Sequence, residues 1–542
     1  MKAYFTLFIF FCSLVRLQAA PEKFWLYFTD KSDVQELLST PEVFLSDKAI
    51  ERRRLQGIEI SETDLPVSPE YIEKLKNYKV EIVHVSRWLN AVSVYAEFSE
   101  IRKIAEQAFI KEVTTVRKMK NVTFGHELEL DPVSKKVQGD PSYYGQGFKQ
   151  IEMVNGDLLH DMGYKGEGMV IAVLDAGFSD TDTHPSFAGL RANGQILGSR
   201  DFVNPEGGEI MYNASSHGTS VLSVMGAEDP GIMVGTAPKA SYWLFRTEDS
   251  DSETLAEEDY WLAAAEYADQ VGVDIINSSL GYTVFDEGIG DHSYSDMDGD
   301  TNIITIAADM AASKGILVVN SIGNLGNDEW YYMSAPADGD SVLAVGSVDV
   351  FRQSSGFSSH GPTVDLRVKP NVSAQGQGTF IANVGGGYLN SNGTSFSAPL
   401  IAGMAACMWE YWREMDPGFT NMELIALMES RSSLYPFSNA DMGYGIPDFQ
   451  KALWPLDITE TEGIEGIEVY PNPFANQIHI RIKTYSEQAY TFRLTNAIGQ
   501  GFVEGQIMSS EKNILLPNDL ASGIYFLELE SEKGKEVIKL IH

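Results

Sequence analysis

Between residues 148 and 453, short apolar runs alternate with stretches whose apolar positions recur every three to four residues. The runs at 169–174, 242–245, 273–276, 316–319 and 342–345 each have the length of a strand covered on both faces. Helical spacing occupies 252–270 and 302–313, with Ile303, Ala307 and Met310 placed on one face. That alternation predicts an α/β domain built on a doubly wound parallel sheet, with its ligand site at the carboxyl ends of the strands. Upstream, 23–29, 80–85 and 88–98 read as strands and 99–107 as a helix, a small α+β domain over 20–117. Downstream, apolar residues fall on every second position, as at Ile478, Ile480 and Ile482 and again at Phe492 and Leu494. Turn pairs such as Asn518-Asp519 interrupt them, which predicts a sandwich-like all-β module over 466–542. Two segments separate these domains and read as linkers: 118–147, rich in charge, Gly, Pro and Tyr, and the acidic 454–465.

The first residues have a different character. Lys2, an apolar run at 5–15 and the small pair Ala19-Ala20 read as a secretory signal over 1–19. No other stretch reaches the roughly eighteen apolar residues that a spanning helix needs. Cys12 lies in the signal and leaves Cys407 alone, so no intrachain disulfide is expected. The apolar surroundings of Cys407 argue for a buried, inert thiol. With 76 acidic against 40 basic side chains, the formal net charge is -36. Such a surface repels phosphate backbones, so nucleic acid is excluded as a partner.

Three segments place a reactive side chain where a strand ends or a helix begins. Asp175 closes the run 170–174, where a carboxylate can orient an imidazole and stabilise its charged form. His217 opens a helix, followed by Gly218, which allows close backbone approach. In Gly393-Thr394-Ser395 the hydroxyl starts another helix, whose free N–H groups and positive dipole end face any oxyanion formed there. Each signal is weak alone. Their order, Asp then His then Ser on an α/β pattern, is one of the three known triad orders.

Residues 148–453 resemble the catalytic domain of the subtilisin-like serine proteases. The resemblance rests on those three segments and on Asn277-Ser278-Ser279-Leu280-Gly281, on Gly323-Asn324, and on the Ser358-Ser359-His360-Gly361-Pro362 stretch. It implies a serine endopeptidase acting on protein or peptide substrates through an acyl-enzyme, with Asp175, His217, Ser395 and Asn324 catalytic. Ser279, Leu280, Gly281 and Gly323 would then bind the substrate backbone and wall the primary pocket. No cofactor and no catalytic metal are implied, and structural calcium is left open. Asp296-Met297-Asp298-Gly299-Asp300 is similar to the start of a calcium loop but lacks the Glu twelve positions along, so a turn before the next helix accounts for it better. Two departures stand out: Ala176 replaces the usual Thr or Ser after the aspartate, and Asn320 and Ser321 stand where small apolar residues are common. A surface-binding protein on a silent protease scaffold is the alternative, and the presence of all four catalytic residue types argues against it.

The 20–117 domain is similar to a subtilase propeptide, which implies an intramolecular inhibitor removed by cleavage between 118 and 146. Its Arg52-Arg53-Arg54 run reads as a solvated charged face of a helix. The tail resembles the sorting domain of the type IX secretion system of Bacteroidota through Val469-Tyr470-Pro471-Asn472-Pro473-Phe474, Asn496-Ala497-Ile498-Gly499-Gln500 and Ser522-Gly523-Ile524-Tyr525-Phe526. It implies recognition by that machinery and a place outside the cell or on its surface.

Overall fold

The computed structural model describes residues 22–115, 141–205, 211–250, 252–288, 290–453, 467–470, 474, 477–483, 490–496, 501–516, 520, 524–531 and 534–541. The expected signal, the linker at 454–465 and most of the one at 118–147 lie outside them. Two compact units divide at Leu453 and Trp454.

The first unit is built on seven parallel strands. Their order across the sheet is Val372–Gln375, Val342–Val348, Leu317–Ser321, Ile275–Ser278, Val170–Asp175, Ser241–Arg246 and Ile196–Asp201. Chain order therefore reverses between the Val170–Asp175 and Ile275–Ser278 strands, the switch point where a ligand crevice is expected. Every residue of Val170–Asp175 is buried. Its side chains alternate between two cores. Ile171 and Val173 pack with the helices His217–Gly226 and Thr394–Met415, whereas Val170, Ala172 and Leu174 pack with Ala256–Val271 and Ile303–Ser313. The doubly wound sheet read from the apolar runs is thus realised. In the Ile303–Ser313 helix the fully buried face is Ile304, Ala307, Ala308 and Ala311, and Ile303 and Met310 lie only at its margin. The expected stripe of Ile303, Ala307 and Met310 therefore shares only Ala307 with the buried face.

The N-terminal segment forms an antiparallel sheet in the order Val80–Ser86, Ala91–Ala96, Glu22–Phe28, Ile110–Thr115, with its own core around Phe24, Leu26, Val92 and Val94. The other face of that sheet is not solvated. Trp25, Trp88 and Ala91 join the cluster that contains Trp261 and Leu262, so the two domains share one hydrophobic core. Residues 141–147, assigned by sequence to the linker, are folded as well: Tyr144 packs with Phe148, Ile151 and Val234.

Polar contacts at this junction overturn the reading of the arginine run. The helix Asp47–Leu55 forms as expected, but Arg52 and Arg53 are buried and only Arg54 stands in solvent, paired with Glu51. Arg52, Arg53 and Arg87 all meet the carboxylate of Asp269, and Arg53 also pairs with Asp64 at 2.8 Å. Glu266 accepts hydrogen bonds from Ser86 Oγ and from the N–H groups of Arg87 and Trp88. The carboxylate shared by Arg52 and Arg53 lies more than two hundred residues along the chain, so local sequence does not announce their burial.

The second unit has two antiparallel sheets, one of Ile467–Tyr470, Gln477–Ile482 and Glu511–Leu515, the other of Gly501–Ile507, Tyr490–Asn496, Ile524–Ser531 and Gly534–Ile541. Ile478, Ile480, Ile482, Phe492 and Leu494 share its core, as their alternation predicted.

Candidate active site

Asp175 ends the central strand at the switch point and is fully buried. Its Oδ1 accepts from the Ala176 N–H at 2.7 Å, so the missing hydroxyl at position 176 leaves the carboxylate still held by backbone. His217 is the first residue of its helix, and its Nδ1 lies 2.9 and 3.0 Å from the two oxygens of Asp175. Gly218 makes this approach feasible: a Cβ there would stand 2.5 Å from the Gly177 carbonyl oxygen and 2.9 Å from Asp175 Cβ. Burial disfavours the charged imidazole, but the Asp175 charge and hydrogen bond outweigh it and raise the His217 pKa above its ordinary 6.5.

The second residue of the helix Thr394–Met415 is Ser395, at its amino end. The ring of Phe396 stands 6.1 Å from that of His217, which brings the two helix starts together. The Ser395 hydroxyl donates to the Ser279 carbonyl at 3.4 Å, and Ser279 Oγ donates to the Ser395 carbonyl at 2.8 Å. The hydrogen bond of the Ser395 hydroxyl in the structure is the one to the Ser279 carbonyl and not one to His217; a nucleophile–base hydrogen bond often tightens only with substrate bound, so the resting geometry does not disqualify the pair.

Asn324, in the loop after the Leu317–Ser321 strand, reaches the same helix start. Its Oδ1 accepts from both the N–H and the hydroxyl of Thr394, each at 2.9 Å. With the oxygen so anchored beside the serine, the two Nδ2 hydrogens are the donors left for the cleft. The Ser395 N–H, in the first turn of its helix, is a second donor with the dipole behind it. Thr394 was not singled out by sequence; its place between the glycine and the serine was the available signal.

Ser279, Leu280 and Gly281 follow directly on the Ile275–Ser278 strand, and Ser279 is joined to Ser395 by the two hydrogen bonds above. Asn320 is buried, and its Nδ2 donates to the Leu280 carbonyl at 3.0 Å and to the Ser321 carbonyl at 2.7 Å. The polar residue at position 320 thus ties the end of the Leu317–Ser321 strand to the segment that follows Ile275–Ser278. Behind Gly281, the Tyr282 phenol donates to Glu248. Burial raises the Glu248 carboxyl well above its ordinary range, and burial next to Glu253 raises Glu257 to about 8.

Other candidates fall outside this constellation. Cys407 is free and buried, and desolvation pushes its thiol up, as expected of an inert cysteine. Asp298 accepts from the N–H groups of Asp300 and Thr301 and from the Thr301 hydroxyl, a turn ahead of the Ile303–Ser313 helix. Among the described residues, no group of three or more His, Cys, Asp or Glu is placed to hold a metal ion, and no helix is long and apolar enough to cross a membrane.

Comparison with known proteins finds three matches along the chain. Residues 166–445 match the subtilase family, 23–129 match the peptidase S8 propeptide domain of Bacteroidota, and 468–542 match a secretion system C-terminal sorting domain. Subtilisin E of Bacillus subtilis is 30% identical over 331 residues, 60% of this chain and 77% of that protein. A subtilisin of Bacillus pumilus is 30% identical over 304 residues, 56% of this chain and 97% of that protein. The thermostable alkaline protease of Halalkalibacterium halodurans is 27% identical over 360 residues, 66% of this chain and 81% of that protein.

Proposed function

Since the chain belongs to the subtilase family and is a secreted serine endopeptidase, we propose that Asp175, His217 and Ser395 are its catalytic triad and Asn324 its oxyanion donor. The observation that carries this assignment is the pairing of His217 Nδ1 with both oxygens of a fully buried Asp175, at the point where strand order reverses.

In this reading Ser395 Oγ attacks the peptide carbonyl carbon while His217 Nε2 takes its proton. Asp175 fixes the ring so that Nδ1 carries the other proton, and stabilises the imidazolium that forms. The carbonyl oxygen gains negative charge between Asn324 Nδ2 and the Ser395 N–H, with Thr394 holding the amide in register. Collapse expels the amine, which leaves with the proton held by His217. Water then repeats the sequence on the acyl-enzyme. Ser279, Leu280 and Gly281 receive the substrate backbone, and no cofactor takes part.

The sorting module directs the chain through the type IX system to the cell surface or the medium. The N-terminal domain acts as an inhibitor in cis, a role supported by its buried seat on the Ala256–Val271 helix. The deciding experiment is Ser395→Ala with a fluorophosphonate probe. The variant should be secreted, folded, unlabelled and inactive on casein, whereas residual hydrolysis or labelling would refute the assignment.

A further inference from the structure

We propose that a cavity at the junction of the N-terminal and catalytic domains binds a small, doubly charged oxyanion of the phosphate type, and that the bound anion fastens the N-terminal domain to its seat. The cavity has a volume of about 260 Å³ and shares no residue with the triad. The strand Val80–Ser86 and the turn after it supply His84 and Arg87. The edge strand Ile196–Asp201 supplies Arg200, and the helix Ala256–Val271 supplies Tyr260, Glu266, Tyr267 and, just before its end, Gln270. Each domain thus contributes cationic groups, and neither encloses the site alone.

In a chain of net charge -36 this lining is out of character. Its charged or readily protonated groups are His84, Arg87, Arg200 and a single carboxylate, Glu266. That carboxylate is already engaged: one oxygen accepts from Ser86 Oγ and the Trp88 N–H, the other from the Arg87 N–H. The cationic groups, in contrast, keep donors to spare. Arg87 commits Nη2 to Asp269 and to the Glu266 carbonyl, each at 2.7 Å, and its buried Nε has no hydrogen-bond partner. His84 Nε2 is likewise buried and unpartnered. Buried polar groups ordinarily find a partner, because a bond left unmade forfeits the hydration available in water. Arg200 pairs with no carboxylate among the described residues. Its guanidinium lies over the rings of Phe202 and Tyr267, 4.9 and 4.6 Å from their centroids. A stacked guanidinium directs its N–H groups outward in its own plane, the geometry that grips an oxyanion. Burial, together with the charges of Arg200 and Lys23, lowers the His84 pKa to about 3, and no carboxylate acts in the opposite direction. A dianion set among His84, Arg87 and Arg200 supplies the missing compensation. Because groups from both domains hold it, it binds the precursor alone and opposes release of the N-terminal domain by the factor 1 + [anion]/Kd.

The test uses the intact Ser395→Ala precursor and inorganic phosphate near neutral pH, with sodium chloride holding the ionic strength constant. Calorimetric titration should give a single site with a Kd of about 1 mM or tighter. Phosphate at about 20 mM should then slow hydrogen–deuterium exchange of the Val80–Ser86 strand by about twentyfold or more. Arg200 is exposed, so Arg200→Ala should fold and melt as the parent does without phosphate, yet lose both the titration and the slowing. His84→Leu removes the imidazole and should weaken binding by about tenfold. The secreted enzyme freed of its N-terminal domain should not bind. A precursor that takes up no phosphate, an undiminished titration in Arg200→Ala, or equal binding by the freed enzyme overturns the proposal. Binding that leaves exchange of the Val80–Ser86 strand unchanged refutes the fastening.

Discussion

Replacing Asp269 by asparagine removes the charge on which three arginines converge while preserving the shape of the side chain. Asp269 is fully buried, with Arg53 Nη2 at 2.8 Å and Arg87 Nη2 at 2.7 Å, and Arg52 bound to the same carboxylate. Breaking one partner of a buried ion pair generally costs about 3–5 kcal/mol, since the remaining charge is left without compensation. The lower end applies here. Arg53 keeps Asp64, and Arg52 keeps the carbonyls of Val273 and Lys314. Burial already lowers the Arg52 pKa to about 10, a value that Asp269 helps to support, so the variant starts from a strained cation. About 3 kcal/mol corresponds to roughly a hundredfold rise in the opening of the N-terminal domain from its seat. The assay is hydrogen–deuterium exchange of the Asp47–Leu55 helix in the Ser395→Ala background, where autoprocessing is prevented. Faster exchange there, with protection of the Val170–Asp175 strand unchanged, is the expected result. Exchange within threefold of the parent would refute the claim that this ionic cluster holds the domain down.

Three further outcomes follow from the same structure. Because Asp175 raises the His217 pKa above 6.5, the acid limb of kcat/KM should lie above pH 6.5, and Asp175→Asn should move it down while lowering the plateau; a limb that stays in place in Asp175→Asn would contradict the pairing. Gly218→Ala should cut kcat/KM by about a hundredfold, since the added methyl meets the Gly177 carbonyl at 2.5 Å and displaces the imidazole; near-normal kinetics would show that the helix start is not so constrained. Burial raises Glu253 from 4.5 to about 7, so its contribution to stability is full below pH 4.5 and is lost as pH rises to 7; Glu253→Gln should remove about 1–3 kcal/mol of that decline, and parallel urea midpoints for both proteins from pH 5 to 8 would sink the idea.

What could be read in the chain beforehand depended on whether the cause was local. The five apolar runs became the sheet's interior strands because a strand covered on both faces must be apolar throughout, and Asp175, His217 and Ser395 were marked by the helix and strand ends that carry them. The outer strands Ile196–Asp201 and Val372–Gln375 were not recognised; the first of them is largely exposed and carries polar residues. The hairpin Thr379–Asn383 with Gly387–Ser391 also went unread. It is held by nonlocal contacts, Gln150 with the backbone of Phe380 and Ser220 and Ser223 with that of Ala382. The same reason hid Thr394 as the anchor of Asn324, Asn320 as a bridge to Leu280, and the burial of Arg52 and Arg53. Each is an ordinary polar residue until the fold supplies a partner many positions away.

Trp25 and Trp88 sit almost dry in the hydrophobic cluster shared with Trp261, at 2% and 3% exposure. Departure of the N-terminal domain would wet both indole rings at once, so the precursor carries its own optical gauge. Its intrinsic emission should shift to the red in step with release, and maturation could be timed in a cuvette without any attached dye.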